Sequence, residues 1–269
     1  MSSYAIIGAS RGLGYEWLRQ LCSDPANTVI GLARSPDKVI LRLVSDSISN
    51  VHMLQADMAD SKSLTTAAAE TARITGGSLD YLIINGVYIN TEEHLLSPSE
   101  FTGKEDLITT TMTESLKVNV LGIIFSINAF LPLVRKSDIK KITVISSVLA
   151  DLELAQKSNI PFFVTYSSMK AALNMVVVKY AAELKDEGIV VFSLSPGVVD
   201  THGDKLQVRE DPKERVQIVQ AGFKRMDPKF SGSITTAESV SMQRKVIEDI
   251  TIEKSGSFLS HHGDKNWLD

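Results

Sequence analysis

The chain holds one cysteine, Cys22, so no disulfide can close within it and a reducing compartment is expected. Aromatic residues make up only 6% of its 269 residues, and it has no internal repeat, low-complexity tract or linker rich in proline, glycine and serine. One domain over 1–269 with a sizeable core is the expectation. A net charge of −4 offers no basic field for a polyphosphate backbone, which argues against nucleic acid as a partner. No apolar stretch reaches the roughly 18 residues of a membrane span, and Met1-Ser2-Ser3-Tyr4 runs into an apolar segment without a charged leader. A cytoplasmic protein with no membrane partner is expected. The five histidines, His52, His94, His202, His261 and His262, show no ligand spacing beyond one adjacent pair, so no metal site is expected. Cys22, beside Leu18 and Leu21 in a helical pattern, reads as a buried small hydrophobe.

Short apolar runs alternate with longer amphipathic segments along the chain. The runs are Tyr4 to Ile7, Thr28 to Ala33, Val51 to Gln55, Leu79 to Ile84, Lys141 to Ser146, Val190 to Ser195 and a weaker Ser257 to Ser260. Their valine and isoleucine content without clean alternation fits strands covered on both faces. Helical patterns occupy Gly12 to Ser23, Pro36 to Ser47, Ser61 to Thr75, Thr113 to Val134, Thr165 to Lys185 and Thr236 to Ile250, with Ser35 and Asp60 placed to cap two of them. This predicts an α/β, doubly wound three-layer sandwich on a seven-stranded, mostly parallel sheet. Residues 88–106 and 201–233 lack both periods, and loops of that length at the carboxyl ends of strands usually cover a site.

The first strand runs into Gly8-Ala9-Ser10-Arg11-Gly12-Leu13-Gly14 and then a helix, the order a dinucleotide site of the Rossmann type requires. Glycine lets backbone approach a pyrophosphate, and free amides at a helix start favour its charge. The second strand ends Gly31-Leu32-Ala33-Arg34-Ser35 with a guanidinium where NAD sites place a carboxylate. The guanidinium fork suits a 2′-phosphate, and Arg11 could supply a second cation, so NADP(H) is favoured. Farther along, Tyr166 and Lys170 lie four residues apart on one helical face. A fixed ammonium beside a phenol should pull its pKa down from about 10 and let it move a proton.

Together these residues resemble the short-chain dehydrogenase/reductases over essentially the whole chain, most like the C-factor-like and fungal ketoreductase branch. The glycine loop matches that family's first motif and Tyr166 with Lys170 its Tyr-x-x-x-Lys. Ser147 matches the catalytic serine, Asn119 the fourth active-site residue, and Pro196-Gly197-Val198-Val199-Asp200-Thr201 the stretch that closes over the nicotinamide. The resemblance implies an oxidoreductase in which Tyr166 protonates a carbonyl oxygen held by Ser147. Lys170 would hold the nicotinamide ribose and lower the tyrosine pKa, while Asn119 would position a water. It further implies cofactor contacts at Asp57 and Met58, at Asn85 and Gly86, and at Pro196, Gly197, Val199 and Thr201, and a homodimer or homotetramer.

The chain departs from the family pattern in three places. Ile7 replaces the threonine before the first glycine, Ile84 replaces the first asparagine of Asn-Asn-Ala-Gly, and the 19 positions from Ser147 to Tyr166 imply an enlarged substrate loop at about 149–163. Phe162, Phe163, Phe223, Met226 and Phe230 suit an uncharged ring or chain better than a sugar or a phosphate, so a small hydrophobic ketone, aldehyde or alcohol of secondary-metabolite type is expected, although Phe162 and Phe163 serve equally as core. Beside the NADPH-dependent carbonyl reductase stand two other readings: a dinucleotide sensor or scaffold without turnover, and an isomerase, dehydratase or cyclase on the same fold.

Overall fold

The computed structural model describes residues 2–201 and 213–268. The predicted runs form β1 (Ser3–Ile7), β2 (Thr28–Ala33), β3 (Val51–Gln55), β4 (Tyr81–Ile84), β5 (Lys141–Ile145), β6 (Val190–Ser195) and, last in the chain, β9 (Phe258–Ser260). These seven make one sheet in the order β3-β2-β1-β4-β5-β6-β9, with every neighbouring pair parallel. The order reverses beside β1: Ile7 pairs with Leu32 of β2 on one side and Ile84 of β4 on the other, so three strands end level at the crevice where such sheets bind ligands.

Helices cover both faces, as buried apolar strands require. On one face α3 (Ser61–Thr75), α5 (Gly122–Val134) and α7 (Val164–Leu184) pack over Ile30, Leu82, Ile142 and Val191. On the other, α1 (Gly12–Leu21), α2 (Pro36–Ser45) and α9 (Thr236–Asp249) cover Ile6, Val29, Ile83 and Phe192. Each such side chain removed from water contributes about 1.5–3 kcal/mol. A third apolar cluster, Val148, Met226, Phe230, Trp267 and Leu268, gathers near the carboxyl ends of β5 and β6.

The structure departs from the sequence pattern where polar residues disguise a helix. A helix α4 (Glu105–Leu116) begins eight residues before the expected start at Thr113. Its run of threonines weakens helix propensity, yet Thr113 bonds back to the Thr109 carbonyl (2.8 Å), and Glu105 and Asp106 suit a helix amino terminus. One π turn, Lys117–Leu121, joins α4 to α5. Glu105–Val134 is, by length and composition, apolar enough to cross a membrane, contrary to the expectation, but over half of its most apolar window is buried inside the protein.

The segments expected to be irregular also hold short elements: α6 (Leu152–Ser158), α8 (Lys213–Met226) and a small parallel ladder of β7 (Val199–Asp200) with β8 (Ile234–Thr235). Asp60 caps α3 by accepting from Lys62 N, whereas Ser35 precedes Pro36 without a side-chain cap bond. Thr235 and Glu238 form a reciprocal capping box on α9, a Thr-x-x-Glu signature that was open to reading. Cys22 is half-buried rather than fully buried, and burial pushes its thiol up to about 11.

Candidate active site

The glycine turn and the end of β4 meet backbone to backbone. The Gly8 and Ala9 amides both donate to the Leu32 carbonyl (3.0 Å), which holds the turn on the end of β2. Gly8 has φ +87, and a Cβ there would lie 2.6 Å from Gly86 N and Cα. A Cβ on Gly14 would lie 2.0 Å from the Gly8 carbonyl oxygen. Asn85 Nδ2 donates to that same oxygen (3.2 Å), so the family-pattern amide braces the turn. Arg11 stands at the α1 start without a side-chain cap bond, leaving the first-turn amides of Gly12 and Leu13 to the crevice. Gly14→Ala is expected to destabilise the protein by about 1–3 kcal/mol, since the methyl meets a carbonyl that a bonded neighbour holds in place. Chemical denaturation would measure this, and a wild-type midpoint would contradict the packing argument.

At the far end of the crevice, Ser10, Arg11, Arg34 and Ser35 are exposed. Asp57 shapes the entry to α3: its amide donates to Ser63 Oγ (3.1 Å), and its carboxylate accepts from Ala59 N (3.0 Å). Met58 does not offer its side chain to the crevice. Its thioether is buried beneath Gly86 and Gly122, which leaves only its backbone for a nucleotide.

The proton-transfer candidates converge from three elements. Ser147 follows β5, and its hydroxyl accepts from Leu149 N (3.3 Å) while lying within hydrogen-bonding reach of the Tyr166 phenol on α7. Lys170 is buried, with Nζ donating to the Ile145 carbonyl (2.7 Å) and standing 5.7 Å from the centre of the Tyr166 ring. Asn119 lies in the π turn, and both ends of its amide are used: Oδ1 accepts from Tyr88 N and Nδ2 donates to Tyr88 O, each at 2.8 Å. The side chain therefore holds the segment after β4.

The pKa directions correct the simple helical-pair argument. Burial raises the Tyr166 pKa, the Ser147 hydroxyl opposing it, because in a dry site the phenolate loses more solvation than neighbours restore. Burial also draws Lys170 down from 10.5 to about 7, so its charge is not fixed at neutral pH. The unfolded chain then binds more protons than the folded one between those values, and stability rises with pH across that window. The contribution of Lys170 is most unfavourable below about 7 and vanishes toward 10.5. Thermal melts of cofactor-free protein should show a rise from about pH 7 to 10 that Lys170→Met flattens; parallel curves for the two proteins would refute the assignment.

The stretch after β6 folds back over the glycine turn. Thr201 carbons lie 3.5 Å from where a Cβ of Gly12 would sit. Pro196 O accepts from Ser239 Oγ of α9 (2.6 Å), and the ring of buried His261 lies 2.9 Å from a Cβ built on Gly197. Val199 pairs with Ile234 in the small ladder. Sequence reasoning missed Ser239 and His261 as supports of this stretch; the paired histidines had been weighed only as metal ligands. His202 lies outside the described residues.

Of the apolar residues named from sequence, Phe162, Met226 and Phe230 are buried and Phe223 packs on Phe230 with ring centres 5.3 Å apart. Helix α8 is tied at both ends. Arg215 pairs with Glu100 (2.5 Å), Arg225 Nε donates to Ser158 O (2.8 Å), and Lys157 Nζ donates to Met226 O (2.8 Å). A groove of about 690 Å³ beside α6 and the tail is lined by Asp151, Leu154, Met226 and Trp267, and none of the four proton-transfer candidates faces it. Among the described residues, no three His, Cys, Asp or Glu side chains group to hold a metal.

Residues 3–212 match the family model for short chain dehydrogenase. The short-chain dehydrogenase/reductase atnB of Arthrinium sp. is 43% identical over 268 residues, with 100% of both chains covered. AacuF of Aspergillus aculeatus, of the same description, is 41% identical over 275 residues, again with 100% of both covered. Among solved structures, an NADPH-bound carbonyl reductase from chicken fatty liver superposes with a TM-score of 0.75 at 24% identity, covering 98% of each chain. The carbonyl reductase Sniffer of D. melanogaster gives 0.73 at 20% identity, covering 98% of each chain.

Proposed function

The chain belongs to the short-chain dehydrogenase/reductase family and is an oxidoreductase of that kind, and on this footing we propose that it is an NADPH-dependent reductase of small hydrophobic ketones or aldehydes. The observation that carries the reading is the convergence of Ser147, Tyr166 and Lys170 beside the crevice where β1 and β4 diverge. The residues present fit a dinucleotide: the Gly8–Gly86 contact has no room for a Cβ, and the first turn of α1 has no side chain capping it. Arg11 and Arg34 are the groups we assign to a 2′-phosphate. The NADPH-bound carbonyl reductase of the same fold supports the cofactor choice.

When bound, the reduced nicotinamide supplies hydride to a carbonyl carbon. Tyr166, whose pKa burial keeps above 10, retains its proton at neutral pH and gives it to the carbonyl oxygen as general acid. Ser147 donates a hydrogen bond to the same oxygen as negative charge develops there. Lys170 orients the ribose side from beneath the phenol, and Asn119 fixes the segment that begins at Tyr88. The apolar cluster of Val148, Met226, Phe230 and Trp267, with Phe223 against it, supports a hydrophobic substrate.

Exposed Leu116, Leu121, Met175 and Val178 on the helices that carry Asn119 and Tyr166 support association into a homodimer or homotetramer. A cytoplasmic location is carried forward from the single cysteine. The test is a panel of aromatic and aliphatic ketones with NADPH, followed by loss of cofactor absorbance and by product analysis. Turnover with stoichiometric NADPH loss is the expected result. Binding of NADPH without any turnover would instead identify a sensor, and conversion without net NADPH loss an isomerase, dehydratase or cyclase.

A further inference from the structure

Between β4 and the turn at Pro98–Phe101 the chain forms a strap from the π turn to the start of α7. Tyr88 is clamped by Asn119, Asn90 Nδ2 donates to Thr111 Oγ1 (2.9 Å), and His94 O accepts from Phe163 N (2.8 Å). Between those ties lies Glu93, 2% exposed, whose Oε2 has no aligned hydrogen-bond partner among the described residues. The buried Thr165 hydroxyl lies close enough to favour the ionised carboxyl, although Thr165 Oγ1 also lacks a properly aligned partner. Burial nevertheless pushes the Glu93 carboxyl up from its usual range.

A buried carboxyl with an unsatisfied oxygen is costly, and interiors keep few of them. The place it occupies is specific. Helix α7 starts without a side-chain cap, and its N-cap residue, Phe163, has φ +61, a left-handed conformation that bulky residues rarely adopt. The first turn of the helix that carries Tyr166 is thus held from outside, by the strap, and not by a cap in its own sequence. Glu93 reaches that turn at Thr165, the residue before Tyr166.

We propose that Glu93 is a positioning residue: lodged between the strap and the first turn of α7, it sets where that helix presents the Tyr166 phenol to Ser147. Its kinetic consequence rests on the reductase reading above. A displacement of about 1 Å at a reacting group lowers rates by up to about a hundredfold, and the strap also ties that turn to Asn119.

The experiment compares Glu93→Ala, Glu93→Gln and Thr165→Val with wild type. Glu93→Ala is expected to lower kcat about ten- to a hundredfold while NADPH Kd stays unchanged. It should also shift the alkaline titration of Tyr166, read as the phenolate absorbance lost in Tyr166→Phe. Glu93→Gln keeps the shape of the side chain and a carbonyl oxygen able to accept from the Thr165 hydroxyl, and should return kcat and the titration close to wild type. Should Glu93→Ala fail to fold, Thr165→Val carries the same expectation of a lower kcat and a moved titration. Unchanged kcat and titration in Glu93→Ala, or in Thr165→Val where that variant stands in, overturns the proposal, as does a Glu93→Gln protein impaired as much as Glu93→Ala. The phenol titration needs no turnover: a wild-type protein that reduces nothing sinks the reductase reading and leaves Glu93 tested.

Discussion

Tyr166→Phe is expected to lower reductive turnover by about a hundred- to ten-thousandfold, the range a positioned general acid contributes, and to leave NADPH affinity near wild type. The ring of Tyr166 sits 5.7 Å from Lys170 Nζ, and its hydroxyl lies in reach of Ser147, so removing one oxygen deletes the proposed proton donor and leaves the ring packing intact. The protonated phenol is the ground state at neutral pH because burial raises its pKa. Reduction therefore needs no prior protonation of Tyr166, whereas alcohol oxidation, which needs the phenolate, should gain rate as pH rises. Steady-state kinetics in both directions, with cofactor binding measured separately, checks this. Equal losses of turnover and cofactor affinity would show that Tyr166 serves the nucleotide site and not the chemistry.

The second large effect is expected from Arg34→Asp. Arg34 follows β2 and is exposed, and the end of β2 holds the glycine turn that carries Arg11. A charge-assisted hydrogen bond is worth about 1.5–3 kcal/mol, so its loss corresponds to about ten- to a hundredfold in affinity. The new carboxylate repels a 2′-phosphate and can accept from the ribose hydroxyls that replace it in NADH. The ratio of kcat/KM for NADPH over NADH should fall by at least that factor, while Arg11→Ala should lower it less. An unchanged ratio in Arg34→Asp would place phosphate recognition elsewhere.

Much of this was legible in the linear chain because the relevant signals are local. Six of the seven strands read as short runs rich in apolar residues, and the turn from Gly8 to Gly14 advertises itself by composition. Residues whose roles depend on distant partners were not legible. Glu93 reads as one acid in a polar loop, and only folding buries it against Thr165. His261 had no role in the sequence beyond an adjacent histidine pair, and only the fold sets its ring against Gly197. Helix α8 and the start of α4 were hidden by threonines, charges and a short apolar stripe, where tertiary contacts such as Arg215 with Glu100 override weak propensity.

The order of apolar runs and helices by itself determined the parallel sheet and both motifs, since burying a strand on two faces leaves a pattern that needs no partner to be seen. The proton chemistry was decided only in three dimensions. The helical spacing of Tyr166 and Lys170 predicted a phenol of lowered pKa, but burial in the assembled site reverses that direction and draws Lys170 to about 7. Spacing fixes which groups are neighbours, while the dielectric around them, which sets the cost of each charge, exists only once the remote walls of the site have closed.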